Sequence, residues 1–94
     1  MYTKVTSVIN KTGLHARPAS DLVKTSKTFD SEIIMCRVGE EDYKVNVKSM
    51  VMLLTLGIEQ GESVEICANG DDEVLAVDTL ISLIDSGFGE LQEG

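Results

Sequence analysis

An α+β open-faced sandwich of order βαββαβα, four antiparallel strands with three helices on one face, is the fold class this sequence predicts. Apolar residues recur at helical spacing in two stretches, Ala19-Leu22-Val23-Ser26-Phe29 and Val77-Leu80-Ile81-Ile84. They alternate with polar residues in two others, Tyr43-Val45-Val47 and Val64-Ile66. Only Gly39-Glu40-Glu41-Asp42 separates the second strand from the third, too short a link for the crossover that parallel pairing requires. At 94 residues the chain can bury one modest core without staples, so 1–94 reads as a single domain.

In order, Thr3 to Ile9 is rich in β-branched residues and reads as the first strand. Asn10 to Gly13 is a polar turn, and the first helix runs from Ala16 to Lys27 or Thr28, stopped by Asp30-Ser31. Glu32 to Val38 has apolar residues of both parities, as an inner strand does. Tyr43 to Lys48 follows as the third strand. Ser49 to Leu54 or Thr55 is a short helix closed by Leu56-Gly57, and Glu62 to Ala68 is the fourth strand. Asn69-Gly70 turns into the last helix, where Asp71, Asp72 and Glu73 place three acids in the first turn to suit the dipole. That helix ends near Ser86-Gly87, and 89–94 is expected to be a mobile tail.

Sixteen acidic residues against eight basic give a net charge of −8. Nucleic acid and anionic membrane both select basic surfaces, so the charge favours partners with a basic or apolar face. The longest apolar run, Met50 to Leu54, is far short of the roughly 20 residues a spanning helix needs. The first residues lack the apolar core of a signal peptide, which points to the cytoplasm. Cys36 and Cys67 lie far apart without ligand spacing and read as reduced strand residues, so no metal site is expected.

Chemistry concentrates in Gly13-Leu14-His15-Ala16-Arg17-Pro18-Ala19, which contains the chain's single histidine and single proline. Pro18 falls in the first helical turn, where its missing N–H has no intrahelical partner to lose. His15 then stands at or beside the N-cap, next to the free amides of Ala16 and Arg17. A helix N-terminus is a ready anion site, and Arg17 adds a planar cation suited to phosphate oxygens. A nucleophile beside an anion cradle describes a phosphoryl acceptor; the plainer alternative is a weak cap beside a solvated arginine.

The second helix is apolar all round in Met50-Val51-Met52-Leu53-Leu54, more than one or two turns can bury on a small domain. Leu53 is the inward choice. Met50, Val51 and Leu54 are candidates for an exposed, adaptable docking patch. Ser49 suits the N-cap of this helix, while Met52 stands where a capping box would need Glu or Gln.

The Gly-Leu-His-Ala-Arg-Pro-Ala stretch closely resembles the active-site motif of HPr, the histidine-containing phosphocarrier family of the bacterial phosphoenolpyruvate:sugar phosphotransferase system. Val47-Lys48-Ser49-Met50 and Leu56-Gly57-Ile58 resemble that family's second helix and regulatory serine, and the likeness spans about residues 3 to 90. It implies the same βαββαβα fold and a monomeric carrier, not an enzyme, without metal or cofactor. Its histidine, here His15, would take a phosphoryl group on Nδ1 from enzyme I and pass it to a sugar-specific enzyme IIA. Arg17 with the Ala16 and Arg17 amides would steady the phosphate, and Pro18 would fix the helix start. The resemblance also implies docking through the second helix and phosphorylation of Ser49 by an HPr kinase/phosphorylase, with a catabolite repressor as a further partner. Met52, where many Gram-positive members have glycine, departs from that pattern. Two alternatives are a regulatory relative acting mainly through phospho-Ser49 in carbon catabolite repression, and a nitrogen-branch or fused-system paralogue with other partners. The retained His15 weighs against the regulatory relative.

Overall fold

The structure, a computed structural model, describes residues 1–92. Strands β1 (Tyr2–Ser7), β2 (Glu32–Arg37), β3 (Val45–Asn46) and β4 (Ser63–Asn69) form one sheet. Its order is β1-β4-β2-β3, with every pair antiparallel. The helices are α1 (Ala16–Ser26), α2 (Met50–Leu54) and α3 (Glu73–Asp85), followed by a 3₁₀ turn at Gly87–Gln92. The expected order and the inner position of β2 are both present.

Register explains how the core forms. Ile33 pairs with Ala68 and Met35 with Ile66, and Val64 stands opposite Arg37, so β2 and β4 turn Ile33, Met35, Val64, Ile66 and Ala68 to the helical face. They meet Ala19 and Leu22 of α1, Leu53 of α2 and Val77, Leu80 and Ile84 of α3, all buried. Ile81, expected among them, is only half-buried. The opposite parity places Cys36 and Cys67 on the other face, both free and buried. Burial, and secondly the neighbouring Glu65 carboxylate, pushes the Cys36 thiol up from its ordinary value.

Several boundaries differ from expectation. β1 stops at Ser7, since the Val8 N–H donates to the Glu62 carbonyl at 2.9 Å and its carbonyl accepts from Gly61 N–H at 2.7 Å. Val8 is buried and Ile9 half in solvent. α1 ends at Ser26, leaving Phe29 beyond the helix yet packed against the core. β3 is much shorter than Tyr43 to Lys48. Val45 and Val47 are buried as their alternation implies, but Tyr43 leaves the sheet and its hydroxyl pairs with Thr55 Oγ1 at 2.6 Å. At the C-terminal end, short 3₁₀ segments meet at a kink at Phe88-Gly89 within Gly87–Gln92, and Glu90 accepts from the Thr12 hydroxyl at 2.7 Å. Positions 93 and 94 of the expected tail lie outside the described residues.

Asp72 also departs from its expected role. It is the N-cap residue of α3 but makes no side-chain cap, and of the three acids only Glu73 lies in the first turn. The Asp72 carboxylate instead accepts from the Ser31 hydroxyl, Ser31 N–H (3.0 Å) and Asp30 N–H (2.9 Å), tying the start of β2 to that of α3. The Ser31 hydroxyl above all holds its pKa below the usual carboxylate range. Glu62 is held down by Arg37, and Asp78 by Lys4. Carboxylates with depressed folded-state pKa values contribute stability that is full above their unfolded pKa, near about pH 4, and lost as pH falls through the folded value. Denaturant midpoints should therefore drop as pH falls below about 4, and Asp72→Asn should flatten that drop. An unchanged acid slope in Asp72→Asn would remove Asp72 from this linkage.

Candidate functional site

The chain entering α1 is held by a buried clasp. Asn10, fully buried, donates from Nδ2 to the Gly13 carbonyl at 2.9 Å, and Gly13 N–H donates to the Asn10 carbonyl at 3.2 Å. Gly13 has φ +66°, and a Cβ built there would stand 2.4 Å from the Ile58 carbonyl oxygen. Only glycine allows this turn and this close approach together. The next residue, Leu14, is buried and donates its N–H to the same Ile58 carbonyl at 3.0 Å. Segments 8–14 and 58–62 are thereby zipped together ahead of the helix.

His15 follows as the N-cap residue of α1, in extended conformation and making no side-chain cap. Its side chain is 37% exposed, enough to meet another molecule without leaving its seat. Nε2 lies 3.0 Å from Glu59 Oε2. Ala16 has φ +50°, a left-handed value that costs a non-glycine residue about 1 kcal/mol or more. Arg17 is exposed and, among the described residues, forms no salt bridge. Pro18 is buried in the first turn. The first-turn N–H groups lack intrahelical acceptors, so the helix start beside His15 offers donors and the positive dipole end.

The chain's other arginine is already committed. Arg37 donates from Nε to Glu62 (2.5 Å) and from an Nη to the carbonyls of Leu56 (2.8 Å) and Gly57 (3.1 Å). It thus satisfies carbonyls at the exit of α2 and holds the 59–62 turn against β2. Sequence reasoning missed both Arg37 and Glu59. Arg37 ends a strand and Glu59 lies in a turn, places where a charge looks like solvated surface, and only the folded arrangement of 56–62 reveals what each faces.

α2 packs against α1 and presents part of its surface outward. Ser49 is the N-cap and its Oγ accepts from Met52 N–H at 3.3 Å, as its position implied. Leu53 is the buried residue. Val51 is 73% exposed, and Leu54 and Met52 are each 39% exposed. One assignment changes. Met50 is half-buried against the core because it opens the helix directly over that core, and Met52 takes its place on the exposed side. Among the described residues no helix is long and apolar enough to cross a membrane.

Residues 2–86 match the family described as "PTS HPr component phosphorylation site". The phosphocarrier protein HPr of Haemophilus influenzae is 42% identical over 84 residues, covering 89% of this chain and 95% of that protein. The phosphocarrier protein NPr of Proteus mirabilis is 37% identical, also over 84 residues, covering 89% and 91%. Among solved structures, an HPr from Thermoanaerobacter tengcongensis superposes with a TM-score of 0.89 at 43% identity, covering 96% of this chain and 98% of that one. Fold, motif and relatives agree over nearly the whole length, and the chain belongs to the HPr family of phosphotransferase-system phosphocarrier proteins.

Proposed function

We propose that the chain acts as a single-domain phosphoryl carrier in which His15 takes a phosphoryl group from enzyme I and passes it to a sugar-specific enzyme IIA. The observation that carries this reading is a half-exposed imidazole at the start of α1, fixed by the Gly13 clasp and beside an exposed arginine that makes no salt bridge among the described residues. Nδ1 is the attacking atom. The Ala16 and Arg17 amides and the Arg17 guanidinium receive the phosphate oxygens, so catalysis is positioning and charge stabilisation. Pro18 keeps the helix start in place. Val51, Met52 and Leu54 form an apolar patch for partners, in keeping with a net charge of −8 that favours basic or apolar faces. The test is incubation with phosphoenolpyruvate, Mg²⁺ and enzyme I, followed by intact mass and acid treatment. One acid-labile phosphoryl group per chain is expected; no transfer to the folded protein would overturn the carrier.

Regulation through Ser49 deepens this reading. Its hydroxyl caps a helix beside the exposed patch, so a phosphate from an HPr kinase/phosphorylase would be tolerated by α2 yet place charge where partners dock. A catabolite repressor is the partner that would read that phosphate. Ser49→Asp should slow His15 phosphorylation by enzyme I about tenfold with the fold intact, as a charge placed in an interface costs on the order of 1–2 kcal/mol. A rate equal to wild type would remove the regulatory role.

A further inference from the structure

We infer that Glu59 is a positioning residue for His15, selecting the ring tautomer and balancing the charge that the ring gains on attack; this rests on the carrier reading above. The Glu59 carboxylate stands 3.0 Å from Nε2. An ionised carboxylate has no proton to give, so in this contact Nε2–H donates and the lone pair of the neutral ring is on Nδ1. That is the form a nucleophilic Nδ1 requires.

The contact is built, because the backbone of Glu59 is held on several sides. The preceding carbonyl, of Ile58, accepts from Leu14 N–H, one residue before His15. Glu59 N–H donates to Glu62 Oε1 (3.3 Å), itself gripped by Arg37. The next side chain, Gln60, donates to the Ile9 carbonyl at 3.0 Å. Both ends of the His15–Glu59 pair therefore move with one clasp.

Transfer then needs no proton movement. The Nδ1 lone pair attacks phosphorus, the Nδ1–P bond forms, and the bond from phosphorus to the donor's leaving atom breaks with its electron pair going to that atom. Nε2 keeps its proton throughout. The ring becomes cationic, and Glu59 faces the nitrogen that shares this charge. In the onward step a nucleophile of the acceptor protein forms a bond to phosphorus as the N–P bond breaks, the N–P electron pair returns to Nδ1, and the ring is neutral again, still donating to Glu59. Because Glu59 is 65% exposed, solvent screens the pair and a modest effect is expected.

The test uses Glu59→Ala, Glu59→Gln and Glu59→Lys with two readouts. One is the rate of His15 phosphorylation by phosphoenolpyruvate-charged enzyme I. The other is the long-range ¹H–¹⁵N spectrum of the neutral ring, which shows the nitrogen that carries the proton. Glu59→Ala should slow transfer about fivefold and admit more of the Nδ1–H tautomer. Glu59→Gln should recover most of the rate, since its amide oxygen still accepts from Nε2–H. Glu59→Lys should shift the ring toward Nδ1–H and slow transfer most, because an ammonium only donates. Wild-type rates and ring nitrogen shifts in all three variants would overturn the proposal. If the wild-type chain accepts no phosphoryl group, the carrier reading fails by itself, and the tautomer spectra still decide what Glu59 does to the ring.

Discussion

His15→Ala is expected to carry no acid-labile phosphoryl group under conditions that charge every wild-type chain. The chain has one histidine, so no second imidazole can substitute for it. Hydroxyl nucleophiles near the site are poor substitutes, since phosphate esters formed on serine or threonine survive the acid that cleaves a phosphorus–nitrogen bond. The fold should tolerate the change. The His15 side chain makes no cap hydrogen bond, and its contact with Glu59 is a partly exposed pair worth at most about 1 kcal/mol. Circular dichroism and thermal midpoint should therefore remain within a few degrees of wild type while transfer falls to background. A variant charged as fully as wild type would put the acceptor elsewhere, and Ser49 would be the first residue to examine.

What could be read from the sequence divides along a physical line. Signals confined to one element were legible. The helical period placed Leu22 and Leu80 inside; a histidine and a proline at a helix start marked the site; and a serine before an apolar run was a cap. Interactions made across the fold were not. Asp72 was legible as an acid suited to its own helix dipole, yet its oxygens serve Asp30 and Ser31, some forty residues earlier in the chain. Tyr43 had the alternation of a strand residue, yet its N–H donates to the Glu40 carbonyl of the preceding loop and its hydroxyl meets Thr55, so it lies outside the sheet. Glu59 carried no local signal, because an acid after Gly57-Ile58 is what any solvated turn contains. It gains meaning only once Gly13 brings His15 to it. The fold class thus follows from patterns of period 2 and 3.6, while the electrostatics of the site depend on which loops share a face.

Gly13→Ala should show how firmly that face is fixed, with the larger of the two effects on stability discussed here. The substituent would meet the Ile58 carbonyl oxygen at 2.4 Å and Glu59 Cα at 2.9 Å, both backbone atoms of a turn held by Arg37 and by Leu14 N–H. Neither can rotate aside as a side chain would. The positive φ of +66° adds strain that alanine bears and glycine does not. Strain of about 1 kcal/mol and overpacking of about 1–3 kcal/mol together give a loss of roughly 3 kcal/mol. For a domain of this size that corresponds to a thermal midpoint lower by roughly 12–24 °C. Gly39→Ala separates the two causes. Gly39 has φ +94° but no atom within 4 Å of its built Cβ, so it should lose only the strain part, about 1 kcal/mol. If both variants melt alike, the approach of Gly13 to Ile58 is loose and does not set the position of His15. If Gly13→Ala melts well below Gly39→Ala and also transfers phosphoryl groups more slowly while still folded, the clasp contributes twice, to the stability of the chain and to the placement of its nucleophile.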